Sequence, residues 1–192
     1  MKIKILGILL GCLVVFLIST TCFAAEPQRI AILPVINQSY THDDGVERVI
    51  ADAVAAKFHM PLDKIVIIYD VIPAAEVRAA VSTAADLGVK AKNFDMKKLA
   101  EIATKLNADV VIGAIITEFS ESQLITMDSG LSQQTSISLR IVGYRALEKK
   151  TFDLSSHEEY TGEWSNTGNA DYLAGVIMER LLGKLSFPYT KG

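Results

Sequence analysis

Two short segments of this chain carry the residue types that metal ions and proton transfer use. His42-Asp43-Asp44 and His157-Glu158-Glu159 each set an imidazole beside two carboxylates, a reasonable ligand set for a divalent cation. Spacing argues against both. Adjacent side chains rarely all point at one centre, and an aspartate just ahead of a helical pattern has a simpler use as an N-cap that satisfies free backbone N–H groups. The second segment departs from His-Glu-x-x-His, whose second histidine stands one helical turn on, because Tyr160-Thr161-Gly162 supplies none. It also lies in a predicted strand, where Glu158 and Glu159 alternate sides and do not face each other as glycosidase carboxylates do.

Other chemistries find less support. The chain has no Gly-x-Ser-x-Gly elbow for a nucleophilic serine. Gly88-Val89-Lys90 and Gly183-Lys184-Leu185 lack the upstream glycine and the hydroxyl residue of a phosphate-binding loop. Trp164 and Tyr160 are able to stack on a sugar or a peptidoglycan strand, although an aromatic near a strand end more often packs against its own domain. The residues therefore point to no catalytic group, no metal site and no cofactor, and to a protein that is not an enzyme. The competing reading is a small-ligand sensor or a hydrolase whose site is assembled from dispersed residues; a pocket gathering His42, His157 and carboxylates would favour it.

The first 24 residues are expected to direct export. Lys2 and Lys4 precede an uncharged apolar run over 5–18, followed by Ser19-Thr20-Thr21-Cys22-Phe23-Ala24, which is the order of a secretory signal peptide. Cleavage after Ala24 puts small Cys22 and Ala24 where the peptidase needs small residues, whereas a cut one residue later puts Phe23 there. An uncleaved anchor competes, since 5–25 approaches the ~20 residues of a membrane helix, but the Ser-Thr-Thr run interrupts it. Neither cysteine is placed for lipidation: Cys12 lies inside the apolar run, and Cys22 lacks the usual leucine three residues back. Both cysteines leave with the leader, so residues 25–192, 168 in all, must fold as one domain without disulfides or thiolate metal sites. Two of the 19 basic residues leave as well, which sets 17 against 22 acidic ones. That balance argues against a nucleic-acid partner.

The elements that would position these residues can be read from periodicity. Residues 29–36 (RIAILPVI) form an apolar strand with Pro34 near its end. From Asp44 a stripe of Val46, Val49, Ile50, Ala53, Val54 and Phe58 marks an amphipathic helix. Residues 64–69 (KIVIIY) suit a strand covered on both faces, and Pro73 opens a helix that ends near Gly88. Asp95 is placed to cap a third helix with Leu99, Ile102, Ala103 and Leu106 on its apolar face, and Asn107 to end it in a left-handed conformation. Residues 110–116 (VVIGAII) are the central strand. From Leu131 to Tyr144, apolar Ile137, Leu139 and Ile141 alternate with Ser136, Ser138 and Arg140, so one face is core and the other wet. Turn residues Asp128-Ser129-Gly130 make these two segments a hairpin, with 151–162 as a third member. A last helix carries Tyr172, Leu173, Val176, Ile177, Leu181, Leu182 and Leu185. The order β-α-β-α-α-β-β-β-α implies an α/β (α+β) fold, a mixed β-sheet of about five strands with helices packed on it.

Residues 30–37 (IAILPVIN) and 99–113 (LAEIATKLNADVVIG), together with this order, resemble the exported α/β domain of the TolB amino-terminal, CsgG and LpoB type. Asn107 stands where that type usually has glycine. The resemblance implies a cell-envelope binding or assembly module and carries over no catalytic residues. It does not extend to a lipidated cysteine, a following propeller or the long membrane hairpins of a pore, because residues 123–131 are too few for strands of about 9–11 residues each.

The segments on either side of the Asp128 turn exceed the usual strand of about 5 or 6 residues, so their ends should overhang the helix-covered sheet. That overhang carries Leu124, Ile125, Met127 and Leu131 among polar neighbours, which makes these four the candidate partner-binding residues. The expected partner is an envelope protein or a second copy of the chain; peptidoglycan stays open, and no stable membrane span is expected after processing. Mass spectrometry of the exported protein should find Ala25 as its first residue. A chain retaining Met1, or beginning at a lipid-modified cysteine, would contradict the leader assignment.

Overall fold

A computed structural model describes residues 26–59, 69–82, 96–126 and 130–187. Among them run β1 (Gln28–Ile32), β2 (Ile36–Asn37), α1 (Asp44–Phe58), β3 (Tyr69–Val71), α2 (Ala74–Ser82), α3 (Met96–Leu106), β4 (Val110–Thr126), β5 (Gly130–Arg145), β6 (Lys150–Glu163) and α4 (Ala170–Gly183), with a 3-10 turn at Asn166–Gly168. The strands form one mixed sheet in the order β3-β1-β4-β5-β6, with β2 paired to β4 beyond the end of β1. Pairing is parallel from β3 to β4 and antiparallel from β4 to β6. The fold is the expected mixed α/β sheet, not closed into a barrel. Most of the expected strand 64–69, the end of the second helix near Gly88, and the cap at Asp95 lie outside the described residues.

The expected first strand is divided in two. Ile32 pairs with Ile112 and Ile36 with Ile115, so four steps along one strand match three along the other and one residue is extra. Pro34 sits in that irregularity because it has no N–H to give to a ladder. Leu33 still donates to the Ile112 carbonyl at 2.8 Å, and Gln38 to that of Ile116 at 2.9 Å.

Helices cover both faces of the parallel half. On the front face, Val46, Ile50, Val54 and Phe58 of α1 and Leu173, Ile177, Met178 and Leu181 of α4 bury against Ile30, Ile112, Ile116, Ile137, Leu139 and Ile141. On the back, Val77 of α2 and Leu99, Ile102 and Ala103 of α3 bury against Ala31, Leu33 and Val111. The stripe of α4 is turned slightly from the expected one: Tyr172 is exposed, and Ala170, Ala174 and Met178 are buried in its stead. Alanine at two of these positions lets α4 lie close to the sheet. Asn107 does take a left-handed φ of 48°, and Ala108 N–H returns to the Ala103 carbonyl at 2.8 Å, closing α3 before β4.

Two features bind the antiparallel half to the rest. The Phe152 ring lies over Gly143, its register partner on β5; a Cβ at 143 would come within 2.2 Å of that ring and 2.4 Å of the Val111 carbonyl oxygen. Phe187 packs on Phe152 and Phe58, and the Arg145 guanidinium stands 5.2 Å from the Phe187 ring centre while donating to the Ser186 carbonyl at 2.7 Å. The chain beyond α4 is thereby fixed to the sheet by aromatic and cation–π contact. Gly143→Ala should lower stability by about 1–3 kcal/mol through overpacking, read as a lower urea midpoint. Gly183→Ala, where an added Cβ meets nothing within 4 Å, should leave the midpoint unchanged or raise it; equal losses in both variants would refute the close packing at Gly143.

Candidate functional site

A single extra residue in β4 decides which side chains reach the hairpin tip together. Ile116 pairs with Leu139 and Glu118 with Ser138, so the register shifts at Thr117. Both Thr117 and Glu118 then lie outward, and Phe119, Glu121, Gln123 and Ile125 fall on the front face beside Ile137, Thr135, Gln133 and Leu131. Without the shift, strand alternation would send Phe119 to the back. Gly130, paired with Thr126, has φ +77°, the conformation that favours glycine where a short hairpin loop rejoins its strand.

The front-face core ends at Gln133, which is almost fully buried. Its Nε2 donates to Glu121 Oε1 at 2.8 Å and to Asn169 Oδ1 at 3.0 Å, and its Oε1 accepts from Ser165 N at 3.4 Å. Asn169 is the N-cap residue of α4, but its side chain makes no capping bond and serves this latch instead. Arg180, near the other end of α4, pairs with Glu158 at 2.5 Å. The helix therefore runs from the level of Gln133 away from the tip and leaves the strand ends beyond it uncovered.

Past the latch stand Ile125, Leu131 and Trp164, 87%, 40% and 47% exposed. Ile125 pairs with Leu131, and the Trp164 N–H donates to the Leu131 carbonyl at 3.1 Å, so the three form one apolar row across the sheet. Leu124, 57% exposed, is on the back face beside Ser132, and Met127 lies outside the described residues. Of the four expected residues the structure thus groups two, sets one on the other side, and adds Trp164. Trp164 stood out in sequence as an aromatic, but only the strand register places it in this row. Its companion Tyr160 is packing: its ring covers Gly168 and its hydroxyl donates to the Glu163 carbonyl at 2.6 Å.

The two histidine segments separate. Asp43 caps α1, accepting from Gly45 N at 2.8 Å and Val46 N at 3.1 Å. His42 lies 3.6 Å from Glu47 and 3.3 Å from Asn37 Nδ2 in the loop before α1. His157 is on the back face of β6, its Nδ1 2.8 Å from Ser138 Oγ, which also donates to Glu118 Oε2 at 3.3 Å. Here serine stands between histidine and acid, whereas a hydrolytic triad needs histidine in the middle. Nearby on this face Arg140 and Asp153 form a two-pronged pair, and their hydrogen bond, with the attraction of the charges, raises the Arg140 pKa against the opposing effect of burial. Among the described residues no cluster of three His, Cys, Asp or Glu side chains is arranged to hold a metal ion, and no helix is long and apolar enough to cross a membrane.

No protein-family model and no curated protein sequence matches the chain. Among solved structures it is similar to lipoprotein GNA1162 from Neisseria meningitidis, at 21% identity over 82% of this chain and 100% of that one, with a TM-score of 0.48. The PelC dodecamer from Paraburkholderia phytofirmans matches at 14% identity over 84% and 90% of the two chains, TM-score 0.45. The LpoB C-terminal domain from Salmonella enterica matches at 10% identity over 78% and 93%, TM-score 0.40; it is of the type that residues 30–37 and 99–113 resemble.

Replacing Gln133 by leucine keeps the volume but strips partners from Asn169, Glu121 and Ser165 N–H. Unfolding free energy should fall by about 1–3 kcal/mol, and amide exchange should quicken in the first turn of α4. The neighbouring Gln134→Leu, on the exposed face, should change stability by no more than ~0.5 kcal/mol; a Gln133 variant as stable as that control would show that the latch does not hold the hairpin.

Proposed function

We propose that this chain is a non-enzymatic cell-envelope protein, exported by residues 1–24 as one domain over 25–192, that binds an envelope protein or a second copy of itself through the β4–β5 hairpin tip. The observation that carries this reading is the apolar row of Ile125, Leu131 and Trp164 beyond Gln133. Large aliphatic and aromatic side chains held on paired strands, exposed together and bordered on the same face by Gln123 and Glu121, have the make-up of a contact surface, in which a buried aromatic often supplies much of the binding energy. Free strand edges adjoin the row. Among the described residues β6 is the last strand of the sheet, and β4 has no second neighbour beyond Ile116. Such edges accept a partner strand by backbone hydrogen bonds.

The test is to replace Ile125, Leu131 and Trp164 with serine and to compare cross-linking in intact cells with the melting temperature of the purified protein. Because the three are exposed, melting should move by no more than a few degrees, while cross-links from a photoreactive residue placed at Gln123 should disappear. Cross-links that persist would remove the tip as the binding surface. A collapse of melting temperature would make the row part of the core.

A further inference from the structure

A second site lies away from the hairpin, at the place where the sheet reverses its direction of growth. β1 is followed through α1 by β3 on one side, and the chain then returns through α2 and α3 to β4 on the other. The α1 helix packs on the front face and α2 and α3 on the back. Helices that leave neighbouring parallel strands toward opposite faces open a crevice beyond the carboxyl ends of those strands, and in open α/β sheets ligands bind there. In this protein the crevice contains a cavity of ≈ 290 Å³. The extra residue between Ile32 and Ile36 forms part of its wall, since Pro34 and Val35 leave the ladder with β4 a few residues past Ile30, where pairing with β3 ends.

The chemistry of the wall is uneven. Val54 and Ala55 of α1, Pro34 and Val35 after β1, and Ile72 after β3 make it apolar, and Arg78 of α2 is the one charged residue of the wall among the described residues. Arg78 has no hydrogen-bond or ion-pair partner among the described residues. α2 begins at Ala74, also in the wall, so the positive end of its dipole adds to the same side. From this juxtaposition of a half-open apolar space with an unpaired, exposed guanidinium at its rim, at the topological switch point, we infer that the crevice binds a small anionic amphiphile, a single short aliphatic chain ending in a carboxylate. The volume is at the lower end of the ~300–1,000 Å³ typical of ligand pockets, which suits one short chain and not a two-chain lipid. The chain displaces water from the apolar wall, and the carboxylate takes a charge-assisted hydrogen bond from Arg78.

The probe is sodium decanoate, titrated calorimetrically into the exported chain, with decanol as the uncharged control. Decanoate should bind saturably at one site and more tightly than decanol. Arg78→Gln should weaken decanoate about tenfold, the scale of one charge-assisted hydrogen bond, and leave decanol unchanged. Ala55→Trp starts from an exposed position on the wall, so it should fill the crevice and abolish binding of both probes without lowering the melting temperature. Absence of saturable binding, equal affinity for decanoate and decanol, or binding that survives Ala55→Trp in a protein of native melting temperature would each overturn the assignment. If Ala55→Trp unfolds the protein, the Arg78→Gln titration decides alone.

Discussion

Between Val110 and Ile116, β4 is hydrogen-bonded on both edges, to β1 and β2 on one side and to β5 on the other, while helices cover both of its faces. A strand in that position has no route by which a polar side chain reaches water, and a charge placed there would be buried without a partner. The uninterrupted run VVIGAII is the consequence. The helices α1 to α4 then have little freedom, because each must lay its apolar stripe on one of two faces whose residues are fixed by strand alternation.

The constraint ends at Thr117. Beyond the bulge β4 keeps only β5 as a neighbour among the described residues, and its front face passes from Phe119 in the core to Glu121 and Gln123 at the margin. Gln133 closes the core there. A buried amide is tolerated because its bonding groups are engaged: toward a carboxylate, toward the N-cap of α4 and toward a backbone N–H. The apolar residues further out are exposed for a geometric reason, namely that α4 starts level with this latch and runs the other way.

The residues that suggested chemistry are held by bonds that serve the fold. Asn37 organises the loop before α1, accepting from Ser39 and donating to Thr41 and Glu47, and His42 sits at the edge of that network. His157 and Ser138 meet on a face of the sheet, and strand N–H groups point along the plane of the sheet and not out of that face, so none is aimed at a developing oxyanion above it. Glu158, adjacent to His157 in sequence, faces the opposite way and pairs with Arg180.

What could be read in the order of residues was whatever depends on near neighbours along the chain. Helix stripes at three- and four-residue steps, the capping aspartate before α1, Asn107 at the end of α3, the buried run at 110–116 and the alternation of β5 are local patterns, and the described structure follows them. The overhanging hairpin was legible in outline for the same reason, as a pair of segments longer than a covered sheet requires. What depended on register was not legible. One extra residue at Thr117 reverses the side to which every later residue of β4 points, which puts Ile125 and not Leu124 on the front face, beside Leu131 and Trp164. The crevice beside β1 depends likewise on where α1 and α2 cross the sheet. Strand alternation has a period of two, so a single-residue shift that hardly alters the sequence pattern exchanges the two faces, and only tertiary pairing decides between them.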